Sequence, residues 1–579
     1  STKMAIGHNM SGFDSMILAW RFGVNPAMWG CTAAMARSRY AKTCGVSLAK
    51  LVQELGIGVK KDAILHSTKG KRLADFTEAE LNAMAEYNKA DTEQCAALFK
   101  KLVKGFPKDE LLLIHMTTRM LVNPQFALDT SIVDNALSVE RANKRKHLLE
   151  LAKLLRAIEG VDAALDWNDE EAVAEYVRAE LASQSRFARL LESLGVEVPM
   201  KPSPTNPNKM TPALAKTDEA FVKLQDHSNP IVAAAARARL SVKSTLLETR
   251  LEALKRAAAV CGGKLPVPLK YCGADTTGRW SGEQYNMQNL PRVNPSSPKT
   301  SDALRLALKA PKGYKVVVAD LSGIELRVNH FLWQVPSSME LYRQDPQADL
   351  YKAFAAARYG IPESEVSKEQ RQLAKVAQLG LGFGAGAATF RKIAKLMGGL
   401  DLSEEEAKEV VDSWRATYYQ IVDGWRICHE SLPYILEGTH RAIDPWGLCR
   451  TERNAIRLPS GRCIYYPDLR YEYNDSGKCE WWYGSGRHKA RIYAGKITEN
   501  VVQALARDVI AGNAIDFWRL TKLEPVLMVH DELVYIVPEA DAEAALGELQ
   551  RIMRTPPKWW PELVTWSEGD IADSYGQAK

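Results

Sequence analysis

Two carboxylates stand at the ends of short apolar runs, and a spaced set of cations lies between them. Lys315-Val-Val-Val-Ala-Asp320 has the pattern of a buried strand that ends in an acid, and Leu321-Ser-Gly-Ile-Glu-Leu-Arg327 then turns into a helix. An acid at the end of a buried strand is costly unless a cation or donor compensates it. Taken alone, Asp320 reads equally as a helix N-cap. Further on, VLMV and LVYIV flank His530-Asp531-Glu532 as the turn of a hairpin, for which an acidic surface turn is the plain alternative. That alternative leaves the apolar flanks unexplained. They predict Asp320 and Asp531 at the lip of one sheet, where two acids can hold a pair of Mg²⁺ ions ~3.5–4 Å apart for in-line phosphoryl transfer.

Between them runs Arg371-Gln-Leu-Ala-Lys375-Val-Ala-Gln-Leu379-Gly-Leu-Gly-Phe383-Gly384. Arg371, Lys375, Leu379 and Phe383 recur every fourth residue, one slowly drifting stripe on a helix. Two cations followed by two apolar groups suit a nucleotide, with triphosphate on the cations and base and sugar on the apolar end. Glycines cost up to about 1 kcal/mol each in a helix interior, which makes sense where another backbone or a base approaches closely. A phosphate-cradling glycine loop is disfavoured: no strand immediately precedes GLGFGAG and no GK[ST] follows.

These residues need several elements to position them, and 579 residues supply three to five compact units. Hydrophobic residues at 46% and charged residues at 25% are ordinary for a globular chain and exclude a mainly disordered or collagen-like one. No apolar run reaches the roughly 18 residues of a membrane span. Nine cysteines contain no CxxC pair, which removes zinc-ribbon and thioredoxin motifs; they read as reduced cytosolic thiols. The net charge of +6 is small, but its basic residues cluster at 141–156 and 231–256, in Ala/Leu-rich helical stretches. Each is a basic face for a phosphate backbone or a solvated helix face.

The pattern predicts a small α/β unit at 1–108, with helices near 47–56 and 78–103. A mainly helical region follows at 109–270, which the resemblance given below makes connection and thumb, interrupted by the Pro-rich loop 201–212. Then come a strand-bearing segment at 271–340, helices at 341–436, and at 437–579 an aromatic hairpin insertion, a helix and the acidic hairpin. The opening STKMAIGHN lacks an initiator Met and any signal peptide, as expected of a fragment or processed product.

DLSGIELR, RQLAKVAQLGLGFG and VHDE resemble motifs A, B and C of the family A DNA polymerases, in order. TTGRWSGEQYNMQNLPR, LPSGR and ITENVVQALARD are similar to the bacteriophage members. The resemblance spans most of 240–579 and implies a multidomain α/β right-hand polymerase of palm, fingers and thumb. It makes Asp320, Asp531 and the Leu321 carbonyl ligands of two Mg²⁺ ions, for which Mn²⁺ can substitute. Arg371 and Lys375 hold the triphosphate, and Lys375 is the proton donor to pyrophosphate. Glu325 is the steric gate against a ribose 2′-OH, and Phe383 stacks in the template-base site, where Tyr is more usual. Leu379 departs from the Phe or Tyr that most relatives carry. Tyr351, in ADLY, lines the nucleotide pocket, Arg279 and Gln503 touch the minor groove near the primer end, and His530 and Glu532 flank the site. The implied partners are primer-template DNA and dNTPs, for a monomer in the host bacterial cytoplasm.

His8-Asn-Met-Ser-Gly-Phe13-Asp14 and Tyr87-Asn-Lys-Ala-Asp91 resemble two motifs of a DEDDy 3′–5′ exonuclease, an incomplete RNase H-like domain at the N-terminus. Its DxE pair would lie ahead of Ser1, so Asp14, Tyr87 and Asp91 are remnants or structural residues, and no exonuclease activity is expected of this chain. Two alternatives stand beside the polymerase reading. A single-subunit RNA polymerase shares the palm, but Glu325 closes the space for a 2′-OH, and such enzymes usually read HDS where this chain reads HDE. A non-catalytic DNA-binding relic would have no reason to keep both aspartates and both cations.

Overall fold

The β-branched run Val316–Val318 and the apolar strand of the acidic hairpin build one sheet because each is buried on both faces. The sheet has four antiparallel strands in the order Leu527–Val529, Glu532–Pro538, Tyr314–Leu321 and Ser567–Ala572. The computed structural model describes residues 3–60, 63–156, 166–203, 206 and 208–578. Helices Ala494–Thr521 and Ala542–Met553 pack against the sheet. The first is buried almost all round, as a core helix must be.

Two of the expectations for the acidic segments change. Glu532 is the first residue of a strand, buried, not part of the turn, which is His530-Asp531 alone. Asp320 lies in its strand opposite Glu532, and the N-cap of the following helix, Ile324–Leu332, is Gly323 with φ +60°, so the N-cap alternative for Asp320 falls away.

Helix Lys368–Leu381 starts at a capping box between Ser367 and Gln370 and is followed by Ala387–Gly398, Glu404–Thr417 and Tyr419–Glu430. Its end at Leu381 leaves Phe383 in the turn beyond, off the helical stripe. Stretch 441–495 is more than a hairpin. It holds two three-stranded antiparallel sheets, Arg450–Glu452 with Ala455–Arg457 and Cys463–Tyr465, then Arg470–Tyr473 with Cys479–Tyr483 and Ala490–Ile492.

Helices Thr130–Leu155, Glu170–Ala182, Gln184–Ser193 and Pro230–Lys243 enclose a separate apolar cluster. Where a loop was expected at 201–212, short strands Met200–Pro202 and Met210–Pro212 pair; Pro204, Thr205 and Pro207 lie outside the described residues. The basic stretches are largely answered from neighbouring helices. Arg141 and Lys144 pair with Glu252 and Glu248, and Arg145 with Glu170 and Glu171. Of the two readings, a face for phosphate or a solvated helix face, the first stretch thus presents cations already paired with acids.

At the N-terminus, Met4–Gly7 runs parallel to Met28–Cys31, a two-stranded sheet among the described residues. Met10, Trp29 and Cys31 join the large core that continues to Ala578, so this unit is packed onto the rest. All nine cysteines are free thiols. No helix among the described residues is long and apolar enough to cross a membrane.

Gly495 opens the core helix against the turn after Leu381: a Cβ there would lie 2.0 Å from the Phe383 carbonyl oxygen, whereas one at Gly512 would meet nothing within 4 Å. Gly495→Ala is therefore expected to lower stability by about 1–3 kcal/mol through overpacking, and Gly512→Ala to raise it by about 0.5–1 kcal/mol through helix entropy. Urea midpoints at unchanged slope measure both.

Candidate active site

The two aspartates meet because the strands that carry them are neighbours in fixed register. Asp320 pairs opposite Glu532, and the Leu321 N–H donates to the Asp531 carbonyl at 3.0 Å. His530 takes φ +53°, which lets the hairpin close in two residues. Gln288 fastens that turn: its side chain accepts from the His530 N–H at 3.3 Å and donates to the Met528 carbonyl at 2.5 Å. The Glu532 carboxylate accepts from the Tyr575 hydroxyl.

A cavity of about 310 Å³ opens beside the turn, lined by Arg279, Glu325, Leu379, Gln503, His530 and Asp531, with Arg507 behind. These six come from five separate stretches of the sequence. Arg279 donates to Glu325 at 2.9 Å. Burial pushes the Glu325 carboxyl above its usual range, Arg279 offsets part of this and Glu499 adds to it. Lost hydration, then the Arg279 charge, hold the His530 ring below its ordinary value. On its other side the same turn borders a cleft of about 560 Å³ whose walls include Lys216, Arg250, Arg292 and Arg305.

Helix Lys368–Leu381 presents Lys375 and Leu379 to solvent and the cavity, both exposed. Arg371 is engaged: Asp349, the N-cap of helix Leu350–Tyr359, accepts from its Nε at 2.6 Å, and its guanidinium lies 5.5 Å from the Tyr351 ring centroid. Tyr351 and Arg371 are thus brought together, outside the 310 Å³ cavity. Phe383 lies against Gly495 at the helix's far end.

Asp320 and Asp531 together with the Leu321 carbonyl are hard oxygen donors of the kind Mg²⁺ takes. No group of three or more His, Cys, Asp and Glu gathers as a metal site among the described residues. Two carboxylates suit Mg²⁺ ions that keep water and share substrate phosphate oxygens, so the residues fit the ions that the motifs imply.

In the N-terminal unit, Cys95 feels the charges of both Asp14 and Asp91. Asp91, however, accepts from Lys60 at 2.7 Å, and Lys60 also lies 5.0 Å from the Tyr87 ring centroid. Burial works against the Lys60 charge, but Asp91 and Tyr87 outweigh it and raise its pKa. Burial alone lifts Asp14. A lysine, not a third carboxylate, completes this group.

Sequence reading missed Arg507, Arg462 and Glu110. Arg507 and Asp508 lie within an otherwise apolar helix, a signal that was readable, and Arg462 stood in LPSGR without a role. Nothing local marks Glu110.

A two-aspartate sheet end, a helix of cations beside it and a basic cleft thus border one another in a fold of palm, fingers and thumb. Residues 161–431 match the family model for DNA polymerase family A. The DNA polymerase of Bacillus phage SP02 is 29% identical over 353 residues, which cover 53% of this chain and 52% of that protein. DNA polymerase I of Pseudomonas aeruginosa is 27% identical over 63% of this chain and 35% of its own length. The chain therefore spans about half, or less, of these curated relatives. The POL domain of Pol1 from M. smegmatis, in complex with DNA primer-template and dNTP, shares the fold at TM-score 0.63 and 19% identity, over 95% of this chain and 82% of that one. Over these segments the chain is similar to the family A DNA polymerases.

Behind helix Lys368–Leu381 lies a buried polar cluster. Gln378 donates to the Tyr418 hydroxyl at 2.7 Å and accepts from Trp414 Nε1 at 3.1 Å, while His330 Nδ1 meets Ser338 Oγ at 2.8 Å. Burial drives His330 down to about 3, against the Gln378 contact that would raise it. His330 is thus neutral in the fold and titrates near 6.5 when unfolded. The unfolded chain then binds the extra proton, so stability falls as pH drops below about 6.5, by about 2 kcal/mol between pH 7 and 5. His330→Gln is expected to lose this component, read as the wild-type minus variant stability across that pH range.

Proposed function

We propose that this chain is a template-directed DNA polymerase that extends a primer 3′-hydroxyl with dNTPs by two-metal phosphoryl transfer, in phage DNA replication. The observation that carries it is the Asp531 turn, which stands between a cavity walled by Glu325 and Leu379 and a cleft walled by cations. The cleft suits the primer strand and the cavity the incoming sugar.

Asp320, Asp531 and the Leu321 carbonyl would hold two Mg²⁺ ions, which supply acidification of the primer hydroxyl and neutralisation of the leaving pyrophosphate. Arg371 exchanges Asp349 for the triphosphate, and Lys375, already exposed, binds it and gives a proton to pyrophosphate. Glu325, held by Arg279, occupies the space of a 2′-hydroxyl. Gln503 and Arg279 face the primer-terminal minor groove, and Phe383 supports the template base at the end of the motif B helix. Because the binding difference between right and wrong bases is only a few kcal/mol, closure of helix Lys368–Leu381 makes assembly depend on shape. In the N-terminal unit, Lys60 on Asp91 supports the reading that no exonuclease operates here.

Asp320→Ala and Asp531→Ala are each expected to reduce extension of a labelled primer-template by about a hundredfold or more with DNA binding retained, since phosphate contacts elsewhere supply the affinity. Either variant extending near the wild-type rate removes that aspartate from the site. The same gel, run without dNTPs on a mismatched primer, reports any degradation, and none is expected.

Leu379 offers neither a flat ring nor a hydroxyl to the sugar. The chain is expected to discriminate strongly against dideoxynucleotides, Leu379→Tyr to relax this by supplying a donor, and Leu379→Phe to quicken insertion without relaxing it. Competition between ddNTP and dNTP decides, and equal ratios in wild type and Leu379→Tyr would take Leu379 out of the sugar pocket.

A further inference from the structure

Segment 271–280 carries Arg279 to Glu325 and is gripped from three directions. Arg507, in the core helix, donates through Nε to the Gly278 carbonyl at 3.0 Å, and Arg462 donates to the Thr277 carbonyl at 3.2 Å. Gly278 has φ +80°, and a Cβ there would lie 1.8 Å from the Arg462 guanidinium, so only glycine lets the loop lie on that cation. The two arginines are held in turn by Glu110 and Asp508. Glu110 takes the Arg507 fork at 2.5 and 2.8 Å and also accepts from the Tyr271 hydroxyl, while Asp508 accepts from Arg462 at 2.7 Å.

Glu110 is not part of the palm: it lies in helix Lys108–Val122, which follows the N-terminal unit. The same helix fixes Trp280, whose Nε1 donates to Thr117 at 2.9 Å. From the N-terminal unit itself, Arg37 donates to the Tyr271 carbonyl at 2.5 Å, and Lys42 meets the Thr276 hydroxyl and lies 3.5 Å from Asp275. Tyr271, Asp275, Thr276 and Trp280 are thus tied to the N-terminal side, and Thr277 and Gly278 to the palm. The Arg279 side chain alone reaches the cavity.

We propose that the N-terminal unit and helix Lys108–Val122 brace this loop, and that Glu110, acting through Arg507, is a positioning residue for Arg279 and so for sugar selection at Glu325; this rests on the polymerase reading above. The physical reason is charge. Glu110 and Asp508 together balance Arg462 and Arg507 out of water. Without the Glu110 charge, two buried guanidinium groups share one carboxylate, and Arg507 loses the fork that aims its Nε at Gly278. The Gly278 carbonyl then loses its donor, and Arg279 its fixed approach to Glu325.

The test is the ratio of kcat/KM for dNTP to that for the matching rNTP, measured on the full chain. Partial unfolding scales both rates alike and leaves the ratio unmoved, whereas a displaced Arg279 moves it. Glu110→Gln is expected to lower the ratio by about tenfold, the order of one lost buried charge-assisted contact. Lys42→Ala, outside the buried ions, is expected to lower it less. In an Arg279→Ala background neither substitution should change the ratio further, because the residue they position is gone. An unmoved ratio in folded Glu110→Gln, or the same fall with and without Arg279, overturns the proposal. Should Glu110→Gln not fold, Arg507→Lys, which keeps the charge and gives up the fork, is judged by the same two criteria. A wild-type chain that extends with neither nucleotide overturns the polymerase reading and the brace's role together; one that extends while the ratios stay fixed overturns the brace alone.

Discussion

The register between Tyr314–Leu321 and Glu532–Pro538 is the constraint on which the site depends. Side chains alternate along a strand, so a slip of one residue would turn Asp320 to the other face of the sheet, away from the side it shares with Glu532. Burial forbids that slip: Val316, Val317, Val318 and Ala319 are wholly covered, as are Leu533, Val534 and Tyr535 opposite them. The valines and Leu533 each contribute about 1.5–3 kcal/mol by leaving water, and a slipped register would put charged ends into the same space. The apolar part of the strand thus decides where its one carboxylate goes. The two-residue turn at His530-Asp531 extends that decision to the second carboxylate, because a longer turn would release the Leu321–Asp531 hydrogen bond.

Around this rigid end the structure uses buried charge where apolar packing would be simpler. Glu110, Arg507, Arg462 and Asp508 are nearly or wholly buried. Burial opposes the charge on Glu110 and on Arg507, but each holds the other ionised: Glu110 is pulled below its ordinary range by Arg507 and Arg462, and Arg507 is raised by Glu110. Such a group is often no more stabilising than hydrocarbon of the same volume. What hydrocarbon cannot do is donate to two backbone carbonyls, and Thr277 and Gly278 are where those donors go. The network is better understood as a way to fix a loop than as a source of stability.

The sequence made the sheet and its two aspartates legible because apolar periodicity is local and an acid interrupts it visibly. The helix with Arg371, Lys375 and Leu379 was legible for the same reason. Its end was not, since Gly382 and the contact between Gly495 and Phe383 stop it through a partner more than a hundred residues away. Glu532 looked like turn because acids favour turns, and the Tyr575 hydroxyl, reaching it from the far end of the chain, helps an acid to hold that strand position. Glu110 was invisible: it opens an amphipathic helix among other charges, and its partner lies 397 positions along the chain. Residues that act at the surface of an element announce themselves by pattern, and residues that act through another element do not.

The helical region at 130–260 shows how a basic sequence can look neutral in structure and still meet a polyanion. Arg141, Arg145, Lys255 and Arg256 all have acidic partners on exposed faces. Exposed pairs of this kind contribute about 0–1 kcal/mol each, so a phosphate oxygen of equal charge can replace a carboxylate at little cost. Arg250 and Arg292 need no such exchange where they wall the cleft beside Asp531, and Arg250 spends only one donor on the Asn289 carbonyl. A backbone entering that cleft would therefore meet ready cations near the aspartates and exchangeable ones farther out. On the proposed function the first would set the register of the strand against the site and the second would add affinity that salt removes. On the proposed function, placement of the primer end and strength of DNA binding would then be separable properties, built from the same residue types but from different degrees of prior engagement.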